Sequence, residues 1–139
     1  MVTTKASAQE WELQPDDVLG AILAIAKRES KRSHFGFRAH DSDFQSVVNS
    51  LSKEFPELSQ VFVFSDSGPK PYSPVLSEAI SRLQLAGLVG RENPDYEVIF
   101  LRPAAEEYYD KVLVKRLEAH EERLQEIGRA FLSKVTPSK

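Results

Sequence analysis

Three groups of side chains in this 139-residue chain have the types and spacing to do chemistry. From 27 to 40 (KRESKRSHFGFRAH) five cations, Lys27, Arg28, Lys31, Arg32 and Arg38, stand against one acid, Glu29. A cluster this dense can bind phosphates or an acidic partner; the simpler reading is that cations at a helix C-terminus complement its dipole and solvate a loop. Between 70 and 91, Lys70, Ser77, Ser81, Arg82, Gln84 and Arg91 supply hydrogen-bond donors. An arginine addresses guanine bidentately, a glutamine addresses adenine, and serine hydroxyls donate to phosphates. Third, His34, His40, Asp41 and Asp43 could offer nitrogen and oxygen ligands to a metal. Their spacing matches no ligand motif, so no metal site is assigned. Phe35 and Phe37, inside the basic segment, read as anchors onto the core.

Covalent and phosphate-transfer chemistry finds no support. There is no cysteine, which excludes disulfides, thiolate metal centres and cysteine nucleophiles and fits a reducing compartment. No Gly-rich phosphate loop, G-x-S-x-G elbow or H-E-x-x-H pair occurs. From residue 104 onward seven acids balance seven Lys/Arg, a solvated face with i,i+4 partners rather than a catalytic pair. An enzyme is not expected, and no cofactor is implied. No apolar run approaches the ~18 residues that span a bilayer, and MVTTKASAQEWEL has no apolar signal core. The expectation is a cytoplasmic protein with no membrane contact. The net charge of −3 runs against a strong nucleic-acid binder.

The elements that must position these groups are well punctuated. Pro15 with Asp16 and Asp17 starts a helix whose residues Val18, Leu19, Ile22, Leu23, Ile25 and Ala26 form an apolar face to about Ser30. Trp11 and Leu13 precede it as a possible apolar staple. Asp41 or Ser42 caps a second helix carrying Phe44, Val47, Val48, Leu51 and Phe55, and Pro56 stops it. Val61-Phe62-Val63-Phe64 has strand character and is expected to pair with the later hairpin. Ser73 caps a third helix with Pro74 at its first position, and Gly87 stands where a left-handed C′ residue belongs. Leu88-Val89 and Val98–Leu101 then flank Arg91-Glu92-Asn93-Pro94-Asp95 as a β-hairpin. A capped helix ending in Gly-Leu-Val and running into a hairpin is the pattern of a winged helix.

Gly68-Pro69, Pro71-Tyr72-Ser73-Pro74, Leu76, Ile80, Leu83 and Ala86-Gly87-Leu88-Val89 resemble the core motif of the YwgA/Panacea-type winged-helix proteins. The helix end from Leu83 to Val89 is similar to that of MarR- and PadR-like regulators. The resemblance covers about 35 residues and implies a winged helix; those groups include DNA-binding regulators and antitoxin-like proteins.

After Pro103 a helix without internal proline is expected from 104 to 133, with Gly128 a weakness of roughly 1 kcal/mol relative to alanine. Leu113, Leu117, His120, Leu124, Ile127 and Phe131 follow the spacing of a heptad seam. Two arrangements would cover it: a second copy in a C2 homodimer, the favoured one, or the chain's own domain. His120 would then set the register of the dimer and make it weaken on protonation.

The expected fold is therefore mainly α with a small antiparallel β-hairpin or sheet. It comprises a tail at 1–13, a winged helix-turn-helix domain at 14–103, a C-terminal dimerisation helix at 104–133, and a tail at 134–139. The expected function is a dimeric winged-helix transcriptional regulator that binds DNA through Lys70, Ser77, Ser81, Arg82, Gln84 and Arg91. The alternative is a non-catalytic protein-interaction module, antitoxin-like or an assembly subunit, that does not bind DNA. A continuous basic stripe joining Arg82 to the 27–38 cluster would favour the first; separate patches would favour a protein partner.

Overall fold

The computed structural model describes residues 13–32, 35–38, 41–65, 68, 70–92 and 98–135; at 38, 41–43, 91, 92 and 98 it describes the backbone alone. Trp11, His34, His40 and the hairpin tip at 93–97 lie outside the described residues, as do most of the two expected tails.

The architecture is mainly helical with a small three-stranded antiparallel sheet. Helix α1 spans Pro15–Ser30, strand β1 Gly36–Arg38, helix α2 Asp41–Glu54 and helix α3 Pro74–Leu85. Strands β2 (Val89–Glu92) and β3 (Val98–Leu101) follow. The sheet order is β1-β3-β2, with Phe37 opposite Ile99 and Gly90 opposite Phe100.

Helix α1 is the axis of the molecule. Val18, Leu19 and every residue from Ala21 to Ala26 are buried, so the middle of this helix is apolar on all sides, as a segment inside a core must be, and its charges sit at the two ends. Phe37 joins the sheet to that core, its ring 5.3 Å edge-on from Phe131 and 6.0 Å from Phe44. Phe35 and Phe37 are thus core anchors. Leu13 is half-buried against the same core.

One strand falls elsewhere than expected. Residues 61–64 form no strand; the hairpin's partner is β1. The preceding 3-10 turn, Pro56–Gln60, ends with the amides of both Val61 and Phe62 donating to the Leu58 carbonyl, so those amides are spent before a ladder can use them. Phe62 is nevertheless buried, while Val63 is exposed.

The expected continuous C-terminal helix is also broken. Helix α4, Pro103–Tyr108, runs into a π-helical turn at Tyr109–Leu113 and one further α turn, α5, at Val114–Arg116. Leu117 leaves helical geometry (φ −109, ψ 20), a 3-10 turn covers Glu118–His120, and helix α6 takes Glu121–Lys134. The break lets α6 fold back along α1. Leu113, Leu117, Leu124, Ile127 and Phe131 are all buried within this single chain, so the stripe read as a dimer interface is filled by the chain's own core. His120 sits half-buried at the break, not in a seam. Gly128 is a point of close approach: a Cβ there would come within 2.4 Å of Ile25 Cγ2.

Candidate functional site

Helix α3 carries most of the candidate binding residues, and both of its ends are fixed. At the start, the Ser73 hydroxyl accepts from the Leu76 amide at 3.2 Å. The Ser73 backbone is itself held by Gln45, a buried amide on α2. Its Oε1 accepts from Ser73 N–H at 2.7 Å and its Nε2 donates to the Ser73 carbonyl at 3.3 Å. At the far end Gly87 adopts φ 80, and the amides of Gly87 and Leu88 donate to the carbonyls of Gln84 and Leu83. That pair of bonds is a Schellman motif, and it turns the chain directly into β2. Leu76, Ala79, Ile80 and Leu83 are buried; Glu78, Ser81, Arg82, Gln84 and Leu85 face outward, and Ser77 is half-buried. Leu85 is 88% exposed, the most open large apolar side chain among the described residues.

The cations are less available than their positions suggest. Arg82 makes a bidentate pair with Asp16 at the start of α1, Nε to Oδ2 at 2.8 Å and Nη2 to Oδ1 at 2.9 Å, with Glu78 at 3.7 Å. At the other end of α1, Lys27 and Arg28 both reach Glu106 at 3.1 Å, and Arg28 reaches Asp110 at 2.5 Å. Burial alone would raise the Glu106 carboxyl, but the hydrogen bonds and charges of Arg28 and Lys27 outweigh it and hold the group below its ordinary range. Lys31 and Arg32 are exposed just beyond, Lys31 in the left-handed region at φ 59. Lys70 is exposed beside α3. The side chains of Arg38 and Arg91 lie outside the description. Asp16 and Arg28 are twelve residues apart on one helix, about 18 Å at 1.5 Å per residue. Arg82 and the 27–32 cluster therefore form separate patches along α1.

Behind α3 lies a cavity of about 370 Å³, between α1, α3, the β2–β3 strands, α4 and the π turn. Its walls are mostly apolar, with Leu23, Leu83, Val89, Leu101 and Leu113 among them, and Asp16, Asp17 and Arg82 are its charged lining residues. Asp17 is buried and accepts from Arg116 Nη1 at 3.0 and 3.2 Å; the same nitrogen lies 3.4 Å from the Tyr108 hydroxyl.

Sequence reasoning took Asp16 and Asp17 only as helix-dipole complements, Glu106 and Asp110 only as solvated charge, and did not single out Gln45. The pairings Arg82–Asp16, Arg116–Asp17 and Arg28–Asp110 span 66, 99 and 82 positions, so no local spacing could signal them. Gln45 had one faint signal: it interrupts the face next to Phe44, where a polar residue has to find a partner. No family model matches the chain, and neither a curated protein nor a solved structure was found to match it.

Proposed function

We propose that this chain is a winged-helix DNA-binding protein acting in transcriptional regulation, with α3 as the recognition helix and the β2–β3 turn as the wing. The observation that supports this most is the element order, α1-β1-α2-α3-β2-β3 with sheet order β1-β3-β2. In that order a doubly capped α3 feeds straight into the hairpin while presenting Ser81, Arg82 and Gln84 outward. Such a helix lies in the major groove and the wing touches the backbone. The ion pair on Arg82 does not forbid base contact. The pair is solvent-exposed, and exposed pairs of this kind hold a side chain only weakly, whereas a guanine edge offers the same guanidinium a bidentate contact. Arg82 can therefore turn from Asp16 to a guanine edge, with Ser77, Ser81, Lys70 and Arg91 adding backbone contacts.

A second reading, a protein-interaction module, is favoured by two observations. The basic patches are separate, and Leu85 stands almost fully exposed on the outward side of α3, where an apolar side chain suits a protein surface better than a phosphate backbone.

A fluorescence-anisotropy titration with random duplex DNA at two salt concentrations separates the two. Binding that is micromolar and falls steeply with salt supports the first reading. On a site then selected from random sequence, Arg82→Ala loses about 1–3 kcal/mol. Absence of binding at low salt, or equal affinity of Arg82→Ala and the parent protein, refutes the recognition-helix assignment.

A further inference from the structure

The cavity behind α3 interrupts a core that is closely packed elsewhere. Ile25 occupies the space a Cβ on Gly128 would need, and the rings of Phe37 and Phe131 meet at 5.3 Å. Protein interiors hold few voids larger than a water molecule, whereas about 370 Å³ falls in the range of small-ligand pockets. Small residues line it from two elements, Ala86 just after α3 and Ala105 in α4. Leu113, from a third, ends a π-helical turn, a local geometry that recurs at functional sites.

The charges in the lining decide the class of occupant, because each already has a partner within the chain. Asp16 and Arg82 hold each other in a bidentate pair, and Asp17 accepts from Arg116. The two carboxylates are thus matched by two guanidiniums. Among the described residues no buried side-chain nitrogen or oxygen lacks a hydrogen-bond partner, so the cavity offers no buried polar group in need of one. A charged occupant of either sign would have to leave water unpaired or break one of these pairs, and both are costly. An uncharged apolar molecule meets neither obstacle and gains from leaving water for the leucine walls. The volume sets its size. An apolar cavity of about 150 Å³ holds a benzene, so one of about 370 Å³ has room for two fused rings.

We propose that this cavity is a binding site for an uncharged, mostly apolar bicyclic compound, seated against Leu23, Leu83, Leu101 and Leu113 with the Asp16–Arg82 and Asp17–Arg116 pairs left intact. The site does not depend on DNA binding by α3.

The test uses the full chain and four indoles: 3-methylindole and indole-3-ethanol, which are uncharged, tryptamine, a cation, and indole-3-acetate, an anion. Calorimetry and amide NMR at pH 7 are expected to give saturable binding of the two uncharged indoles with Kd below about 1 mM, with shifts at Gly20, Leu83 and Ala86. Tryptamine and indole-3-acetate are expected to bind at least tenfold more weakly than indole-3-ethanol, which shares their shape. Ala105→Leu, which fills the cavity from α4, should abolish binding; Ala86→Leu fills it from the end of α3 and serves if the first variant does not fold. No saturable binding of either uncharged indole to the folded parent chain overturns the proposal. So does a charged indole that binds as tightly as indole-3-ethanol, or binding that survives in a folded cavity-filled variant.

Discussion

Replacing Gln45 by leucine tests how the start of α3 is held. The side chain is 2% exposed and its amide makes two bonds to one residue, accepting from Ser73 N–H and donating to the Ser73 carbonyl. Leucine keeps the volume and makes neither bond. The two backbone groups then fare differently. The Ser73 carbonyl keeps the Ser77 amide as a donor at 3.2 Å, so it stays satisfied. The Ser73 N–H loses its acceptor in a buried site, at about 1–3 kcal/mol. Removing the glutamine amide from apolar surroundings recovers part of this, so we expect a net loss of about 1–2 kcal/mol, a substantial fraction of the 5–15 kcal/mol typical of a domain. Urea unfolding should show a lower midpoint with an unchanged slope, and hydrogen exchange should quicken at Ser73 and in the first turn of α3 before anywhere else. Ser73→Ala, which removes only the cap bond to Leu76, gives a reference of about 1 kcal/mol. A loss below about 0.5 kcal/mol for Gln45→Leu, with Ser73 still protected, would refute the view that this amide anchors the helix.

The other expectations concern the C-terminal segment and its contacts. Ile127→Ala should cost about 2–5 kcal/mol, as truncation in a core does, and the melting temperature should not vary with protein concentration; a concentration-dependent value would restore the dimer seam. Gly128→Ala should destabilise by about 1 kcal/mol. Overpacking against the branched Ile25 costs about 1–3 kcal/mol and exceeds the gain of about 1 kcal/mol in helix propensity; a higher urea midpoint would show that α1 and α6 part easily. Glu57, 8% exposed at its side chain, pairs with Arg123. Burial pushes its carboxyl up, but the Arg123 hydrogen bond, a backbone hydrogen bond and the Arg123 charge outweigh that and hold it below its ordinary 4.5. The stability it contributes is therefore complete above pH 4.5 and is lost as pH falls through the lower folded value. Glu57→Gln should flatten the acid limb of a stability–pH profile, and identical limbs for the two proteins would count against the pair.

Local signals of the sequence determined where α1 and α3 begin, where α2 stops and where α3 ends. Pro15, Ser73 with Pro74, Pro56 and Gly87 act through their own backbone, through a missing N–H, a hydroxyl over the first turn or access to positive φ. Their effects need no distant partner, so they can be read one residue at a time. The hairpin at 89–101 belongs to the same class, its two strands being neighbours in the chain.

What tertiary structure decided is everything in which one pattern has two solutions. Val61–Phe64 has the composition of a strand, yet the turn before it takes its amides and Gly36–Arg38 takes the place beside β3; strand preference is largely a matter of what surface is offered. The stripe from Leu113 to Phe131 is equally apolar whether a second copy or the chain's own α1 covers it, and the break at Leu117–His120 selects α1. Arg82 and Arg28 read as free cations until Asp16, Glu106 and Asp110 are brought to them by folding. Periodicity fixes which face of a helix is apolar, because that depends on 3.6 residues per turn alone. It carries no information about the partner, because contact between residues 66 or more positions apart is set by how whole elements pack.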